Sequence, residues 1–202
     1  MSAVRGSNAH LFLYLNRMRY EMEIEANMFP KFLVRPVVVI TTVSERGIPN
    51  AAPFSFSSPI SFDPPLFGFS CSPEHDTWRN IKANGEFVAN VVGRDMGEKM
   101  HILEHDFPYE ENELKHASLT EVAAKTVRPP RIKEAKAWIE CKMEKSTELG
   151  DHVWIVGRVL HAEVRDELWD GVLNVERAEI LAHISGEFFA EGMRIVKYKR
   201  AR

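Results

Sequence analysis

The stretch of this chain richest in groups able to hold a ligand is Asn50-Ala51-Ala52-Pro53-Phe54-Ser55-Phe56-Ser57-Ser58. It is too polar for a plain buried strand and too aromatic for a plain loop. Small residues such as Ala52 and Ser55 would let backbone lie close to a flat cofactor ring, with N–H and C=O groups at the ring's polar edge. A strand that turns its serines to water is the competing account, and composition alone favours it. A second group is Ser70-Cys71-Ser72, followed by Asp76-Thr77 at the opening of a helical stretch through residue 83. Free N–H groups and a positive dipole end make a helix start a seat for phosphate. Asp76 would repel phosphate and reads as the cap, which leaves Thr77 as the donor; an ordinary N-cap needs no ligand at all. A third candidate is His152, after Gly150-Asp151 at a strand entrance. A histidine there serves as a structural hydrogen bonder or as a ligand contact.

Other chemistries lack their residues. There is no Gly-x-x-x-x-Gly-Lys loop, no Gly-x-Gly-x-x-Gly, no Gly-x-Ser-x-Gly and no His-Glu-x-x-His. His101 and His105 have the helical spacing that lets two imidazoles share a metal. No third ligand is specified, so the pair reads as a solvated helix face and no metal site is assigned. Cys71 and Cys141 read as small buried hydrophobes, and a disulfide between them is not indicated.

These residues need elements to position them. Residues 32–43 are rich in β-branched types, Ser44-Glu45-Arg46-Gly47 is a turn, and residues 48–56 resume as an extended segment, together a hairpin. Pro36 suits a strand's beginning or edge. Residues 66–72 form a short apolar strand after the rigid loop Asp63-Pro64-Pro65. The helix opened by Asp76-Thr77 is closed by Asn84-Gly85, a proper C-terminal stop. Residues 86–92 form another strand, and Met96, Met100 and Leu103 mark a short amphipathic helix. Residues 104–130 are a long polar excursion with a little helix near residues 119–125. Ala137, Ile139, Cys141 and Met143 alternate as in a half-buried strand, and a turn at Glu148-Leu149-Gly150-Asp151 leads into a second long strand over 152–164. A segment at 180–184 and a last strand at 193–198 complete the pattern. Six or seven hairpin-connected strands with two or three short helices favour a mainly β, antiparallel barrel with helical excursions.

The chain has 202 residues and a formal net charge of -3, enough for one sizeable core and no invitation to nucleic acid. The basic end, Lys197, Lys199, Arg200 and Arg202, reads as a solvated tail. No run approaches the ~20 apolar residues of a membrane span. Residues 11–15 are apolar but too few for a secretory signal. Residues 9–24 read as a short amphipathic helix within an N-terminal extension, 1–27, that packs on the body or a partner subunit. The main domain spans 28–202. Met18, Met22 and Met28 are alternative starts. A reducing, cytoplasmic setting is expected.

Six features in order make the chain similar to the flavin reductase-like family, which includes flavoredoxins and reductase components of two-component monooxygenases. They are Arg35-Pro36 with the β-branched run after it; Gly47-Ile48-Pro49-Asn50-Ala51-Ala52-Pro53-Phe54-Ser55-Phe56; Asp63-Pro64-Pro65; Asp76-Thr77 with Asn80-Ile81; Gly85-Glu86-Phe87-Val88 with Asn90; and Gly150-Asp151-His152 leading to Gly157-Arg158-Val159. The resemblance runs over about residues 30–198.

The resemblance implies an FMN-binding split β-barrel that works as a homodimer, with FMN at or near the subunit interface. It implies that Asn50, Phe54, Ser55, Phe56, Ser57 and Ser58 line the flavin ring and ribityl chain. Ser70, Cys71, Ser72 and Thr77 would sit near the ribityl–phosphate end, and Lys99 matches a basic position that reaches the phosphate. His152 matches a flavin-proximal histidine, the catalytic candidate, and Phe188 or Phe189 matches an aromatic near the C-terminus. The implied activity is hydride transfer from NAD(P)H to flavin, with electrons passed to a monooxygenase or redox-protein acceptor. The alternative is a flavoredoxin-like electron carrier with a protein partner. The chain departs from the family in having His75 where a Lys or Arg is frequent, and Ser185-Gly186 where a Gly-Gly pair is usual.

Overall fold

The computed structural model describes residues 21–200. The chain divides into two compact units, Met1–Leu33 and Val34–Arg202. In the first, residues 21–25 carry no regular structure, and Ala26–Phe32 forms a 3₁₀ helix that ends where the Leu33 N–H donates to the carbonyl of Pro30. The helix expected over 9–24 lies mostly outside the described residues, and positions 21–24 do not form it.

The second unit begins with a two-residue strand β1 (Arg35–Pro36) and a hairpin of β2 (Val38–Val43) and β3 (Pro49–Phe54). Every residue of β2 is buried, as expected for a β-branched strand covered on both faces. The hairpin turns at Gly47, whose φ of 80° is one that L side chains rarely adopt. There follow β4 (Ser57–Phe62), β5 (Pro65–Cys71), helix α1 (Asp76–Asn84) and β6 (Glu86–Val91). A 3₁₀ turn at Arg94–Lys99 runs into α2 (Met100–Leu103), and α3 is a single turn at Glu113–His116. Two-residue strands β7 (Glu121–Val122) and β8 (Arg131–Ile132) pair with each other. The long hairpin of β9 (Ala137–Leu149) and β10 (His152–Val164) comes next, then β11 (Ala182–Ser185) and β12 (Phe188–Ala190).

Seven strands form one antiparallel sheet in the order β3-β2-β6-β9-β10-β5-β4. Its two edge strands, β3 and β4, are joined by Ser55 and Phe56 alone. Laid flat, six strand spacings would separate those edges by ~29 Å. The link from Phe54 to Ser57 reaches at most ~11 Å. The sheet therefore curls until the end of β3 and the start of β4 come together at a corner, Ser55-Phe56, which makes a barrel whose edge strands β3 and β4 are not paired with each other. Inside lie Ile40, Phe54, Phe69, Phe87 and Ile155, with Phe69 edge-on to both Phe54 and Phe87 at 5.0 and 5.2 Å between ring centres. Gly157 lets Phe87 fill the wall: a Cβ there would sit 2.5 Å from the Phe87 Cζ atom. A second core, including Val39, Met96, Met100, Leu114 and Leu181, lies under the helical excursions.

Three elements differ from the sequence-based expectation. Ser57–Phe62 is a full strand, because pairing with β5 supplies the partner its mixed composition did not advertise. The little helix expected near 119–125 is absent. The helical turn is Glu113–His116, and Glu121–Val122 is strand, drawn out by pairing with Arg131–Ile132. Residues 193–198 carry no regular structure, and the last strand is Phe188–Ala190, paired with β11.

Candidate functional site

A cleft of about 580 Å³ opens beside the first turn of α1. One wall is β3, through Asn50, Ala52 and Pro53; another is His75, Asp76 and Thr77; a third is the loop from Leu103 to Phe107; and Glu113 also lines it. Asn50 is almost fully buried and hydrogen-bonded at both ends of its amide. Its Oδ1 accepts from the hydroxyls of Thr42 and Thr77, both at 3.1 Å, and its Nδ2 donates to Glu113 Oε1 at 2.9 Å. Glu113 Oε2 accepts from the backbone N–H of Ala51 at 2.5 Å. Asn80 Nδ2 donates to Thr42 and its Oδ1 accepts from the Tyr109 hydroxyl, which ties α1, β2 and the 104–112 loop into one polar network.

The electrostatics are acidic. Glu74, Asp76, Glu104, Asp106 and Glu113 all face the cleft. Burial pushes the Glu113 carboxyl up to about 7, against the pull of its bonds from Ala51 and Asn50 and with Asp76 adding to the rise. Burial also raises Asp76, opposed by Arg79 and reinforced by Asp106.

The helix start differs in detail from its expected role. The N-cap is His75, not Asp76, and no side chain caps the helix. Trp78 and Arg79 N–H groups donate to the His75 carbonyl. The N–H groups of Asp76 and Thr77, at the first two helical positions, have no carbonyl behind them in the helix. The Thr77 hydroxyl, expected to meet phosphate, donates to Asn50 instead, because burial in the network leaves it a nearer acceptor. Ser72 accepts from the Glu74 N–H through its hydroxyl. Burial pushes the Cys71 thiol up to about 12, which makes it an inert core residue facing Ser72 and His75.

Several of the other sequence candidates gather at the barrel corner. Ser55 Oγ accepts from Arg35 Nε at 3.3 Å and lies 3.0 Å from His183 Nδ1. His183 Nε2 approaches the Gly186 carbonyl, which can only accept, so in neutral His183 the proton sits on Nε2 and Ser55 donates to Nδ1. The Arg35 guanidinium lies 5.0 Å from the Phe56 ring centre, the Phe56 ring is 6.2 Å from His152, and Phe189 is 5.0 Å from His183. The structure thus brings Ser55, Phe56, His152 and Phe189 around Arg35 and His183. His152 Nδ1 also contacts Asp151 at 2.7 Å. Phe54 is in the core rather than on a wall, since its ring packs edge-on to Phe69. Ser57 and Ser58 lie on the β4–β5 ladder opposite Phe69 and Gly68, and Ser70 lies on the β5–β10 ladder opposite Trp154. Lys99 does not line the cleft, and Phe188 is largely exposed.

Sequence reasoning missed Glu113 and His183. Glu113 stands in a polar run where Glu110, Glu111 and Glu113 look alike, so no local signal marks it. Arg35 was visible as part of the Arg35-Pro36 motif, and its pairing opposite His183 across β1 and β11 was not. Among the described residues, no group of three or more His, Cys, Asp or Glu is placed to hold a metal ion, and no helix is long and apolar enough to cross a membrane.

Comparison with known proteins adds to this geometry. The family model described as "Flavin reductase like domain" matches residues 31–189. An uncharacterized protein of Aquifex aeolicus is 37% identical over 172 residues, covering 82% of this chain and 88% of that one. Among solved structures, nitrilotriacetate monooxygenase component B from Bacillus cereus superposes with a TM-score of 0.81 at 24% identity, over 89% of this chain and 100% of that one. A Shewanella frigidimarina structure described as having a split barrel domain gives 0.79 at 19% identity over 98% and 100%. An FMN-binding protein from Thermus thermophilus gives 0.73 at 20% identity over 89% and 98%. These likenesses assign the fold, a split barrel.

Proposed function

The chain belongs to the flavin reductase-like family, and we propose that it is an FMN-binding oxidoreductase that takes hydride from NADH or NADPH and passes electrons to an acceptor. The observation that carries this reading is the cleft beside α1, with its low wall of Ala52 and Pro53, its fixed amide at Asn50 and the start of α1 at Asp76 and Thr77. Its volume of about 580 Å³ falls in the ~300–1,000 Å³ range of cofactor sites. The donors available to a flavin phosphate are the two amides at the positive end of a nine-residue helix. FMN, when bound, supplies the hydride-accepting and electron-returning chemistry, which is why no acid–base pair of the protein need be evident.

The residues of the chain would bind and orient. Asn50 would meet the polar edge of the ring, and Ser55, Ser57, Ser58 and Ser70 would offer hydroxyls along the ribityl chain. Phe56 and His152, at the barrel corner, would order the nicotinamide donor or bond the flavin. The acceptor would be a monooxygenase component, as the name of the Bacillus cereus neighbour suggests, or another redox protein. A homodimer would cover the exposed apolar side chains Ile60 and Phe62 of β4. Two free, buried cysteines suit a reducing, cytoplasmic setting.

The test is FMN titration of the purified chain, then stopped-flow mixing with NADH and NADPH. The expected results are a flavin-coloured complex and bleaching by one or both donors. Absence of FMN uptake would overturn the reading. FMN bound but bleached by neither donor would make the chain an electron carrier of the flavoredoxin kind.

A further inference from the structure

We propose that Glu113 is the proton-holding group of the cleft, so that entry of an anionic ligand is coupled to uptake of one proton at its carboxyl. This inference rests on the flavin reading above and assigns a regulation to that same site.

The geometry comes first. Glu113 sits in the single turn α3, reaches back to β3 and is almost fully buried. Each of its oxygens accepts one hydrogen bond from the strand that forms the cleft wall, from Asn50 Nδ2 and from the Ala51 N–H. A carboxylate has about four acceptor positions, so this arrangement leaves room for a proton without breaking either bond. The carboxyl is therefore anchored in both protonation states, and it is joined directly to the amide that would meet the ligand.

The surroundings make the carboxylate costly once an anion arrives. β3 contributes no charged side chain to the cleft, while α1 contributes Asp76, and Glu74 and His75 just before it. The loop between α2 and α3 contributes Glu104, His105 and Asp106. The nearby guanidinium groups also have partners of their own: Arg79 lies over the Tyr109 ring at 3.5 Å and opposes the rise at Asp76, and Arg46 pairs with Glu110 at 2.7 Å. The His116 ring bonds Glu111 at 2.9 Å, stacks on Phe107 and opposes the rise at Glu113 without cancelling it. A phosphate at the start of α1 would add negative charge to a cleft that already holds five carboxyl groups. Burial has already raised Glu113 to about 7, so it is poised to take a proton near neutrality. Its protonation removes one negative charge from the cleft at the cost of no hydrogen bond.

The sign follows. Ionised Glu113 repels the anion, so binding raises its pKa, and affinity falls as pH rises through 7. FMN affinity measured by absorbance titration at pH 7 and pH 8.5 should weaken roughly tenfold for the wild-type chain, the consequence of one linked proton. The second ionisation of a phosphate monoester, near ~6, is complete over most of this range. Riboflavin, which lacks the phosphate, should change much less, and Glu113→Gln should flatten the FMN dependence. Calorimetry of the wild-type chain in two buffers of different ionisation enthalpy counts the proton without any variant and should show uptake approaching one per FMN at pH 8. A flat wild-type profile, no proton uptake, or a slope that survives in Glu113→Gln would each overturn the coupling. Failure to bind FMN at any pH would instead overturn the flavin reading and, with it, the anion on which the coupling depends.

Discussion

Asn50 and Glu113, 63 residues apart in the chain, meet at 2.9 Å with the amide Nδ2 donating to the carboxyl Oε1. The two hydroxyls on Asn50 Oδ1 and the carboxyl on Nδ2 leave only one orientation of the amide in which donors face acceptors. A wall residue of the cleft is thereby held in a single pose by α1, β2 and α3 together.

Glu113 should make stability depend on pH. Its pKa of about 7 in the folded chain stands above the ordinary 4.5, so folding favours the protonated form. Its contribution is fully present below about 4.5 and is lost as pH rises through about 7, a change on the order of 3 kcal/mol. Urea unfolding at pH 5 and pH 7.5 should show wild-type stability falling relative to Glu113→Gln. Parallel profiles for the two proteins would contradict this.

Thr77→Val removes one hydroxyl from Asn50 and keeps the branched shape and the backbone N–H. Thr42 still serves the same oxygen. Stability should fall by about 1 kcal/mol, the net worth of a neutral hydrogen bond. FMN and riboflavin affinities should shift together. A loss confined to FMN would return the hydroxyl to the phosphate.

His152 sits half-buried at the mouth of the β9–β10 hairpin, near Phe56 and held by Asp151. It belongs to no core cluster. His152→Asn should fold and retain FMN, while hydride transfer from NADH or NADPH slows about tenfold, or ~1.4 kcal/mol of barrier. Melting temperature and single-turnover rate on one preparation decide the matter: a lower melting temperature with an unchanged rate would make His152 structural.

Gly157→Ala should damage the barrel itself. The added methyl would lie 2.5 Å from the Phe87 Cζ atom and 2.8 Å from the Cys141 Cβ atom, at a register shift in the β9–β10 ladder. Overpacking of this kind costs about 1–3 kcal/mol. A denaturation midpoint equal to wild type would show that the wall yields more easily than its packing implies.

The exposed Ile60 and Phe62 side chains of β4 are expected to lie in a dimer surface. Phe62 is 95% exposed and Ile60 44%. Light scattering at micromolar concentration should give a dimer mass, and Phe62→Glu should shift it toward monomer. A monomeric wild-type chain with FMN bound would end the dimer proposal.

The sequence alone determined the elements whose signals are local. The β2–β3 hairpin was legible in its β-branched run and Gly47, and the end of α1 in Gly85, which adopts a left-handed φ of 72°. The alternation of Ala137, Ile139, Cys141 and Met143 marked β9, and six ordered motifs carried the family. What only the tertiary structure decided is which distant residues share a site. Nothing near Glu113 distinguishes it from Glu110 and Glu111; its burial and its raised pKa come from packing α3 against β3. Arg35 meets His183 because β1 pairs with β11, and the Thr77 hydroxyl turns to Asn50 because the folded barrel sets α1 against β2 and β3. Strand and helix periodicity depend on neighbours along the chain. Cleft chemistry depends on contacts formed when a seven-stranded sheet curls until Ser55 and Phe56 can join its two edges.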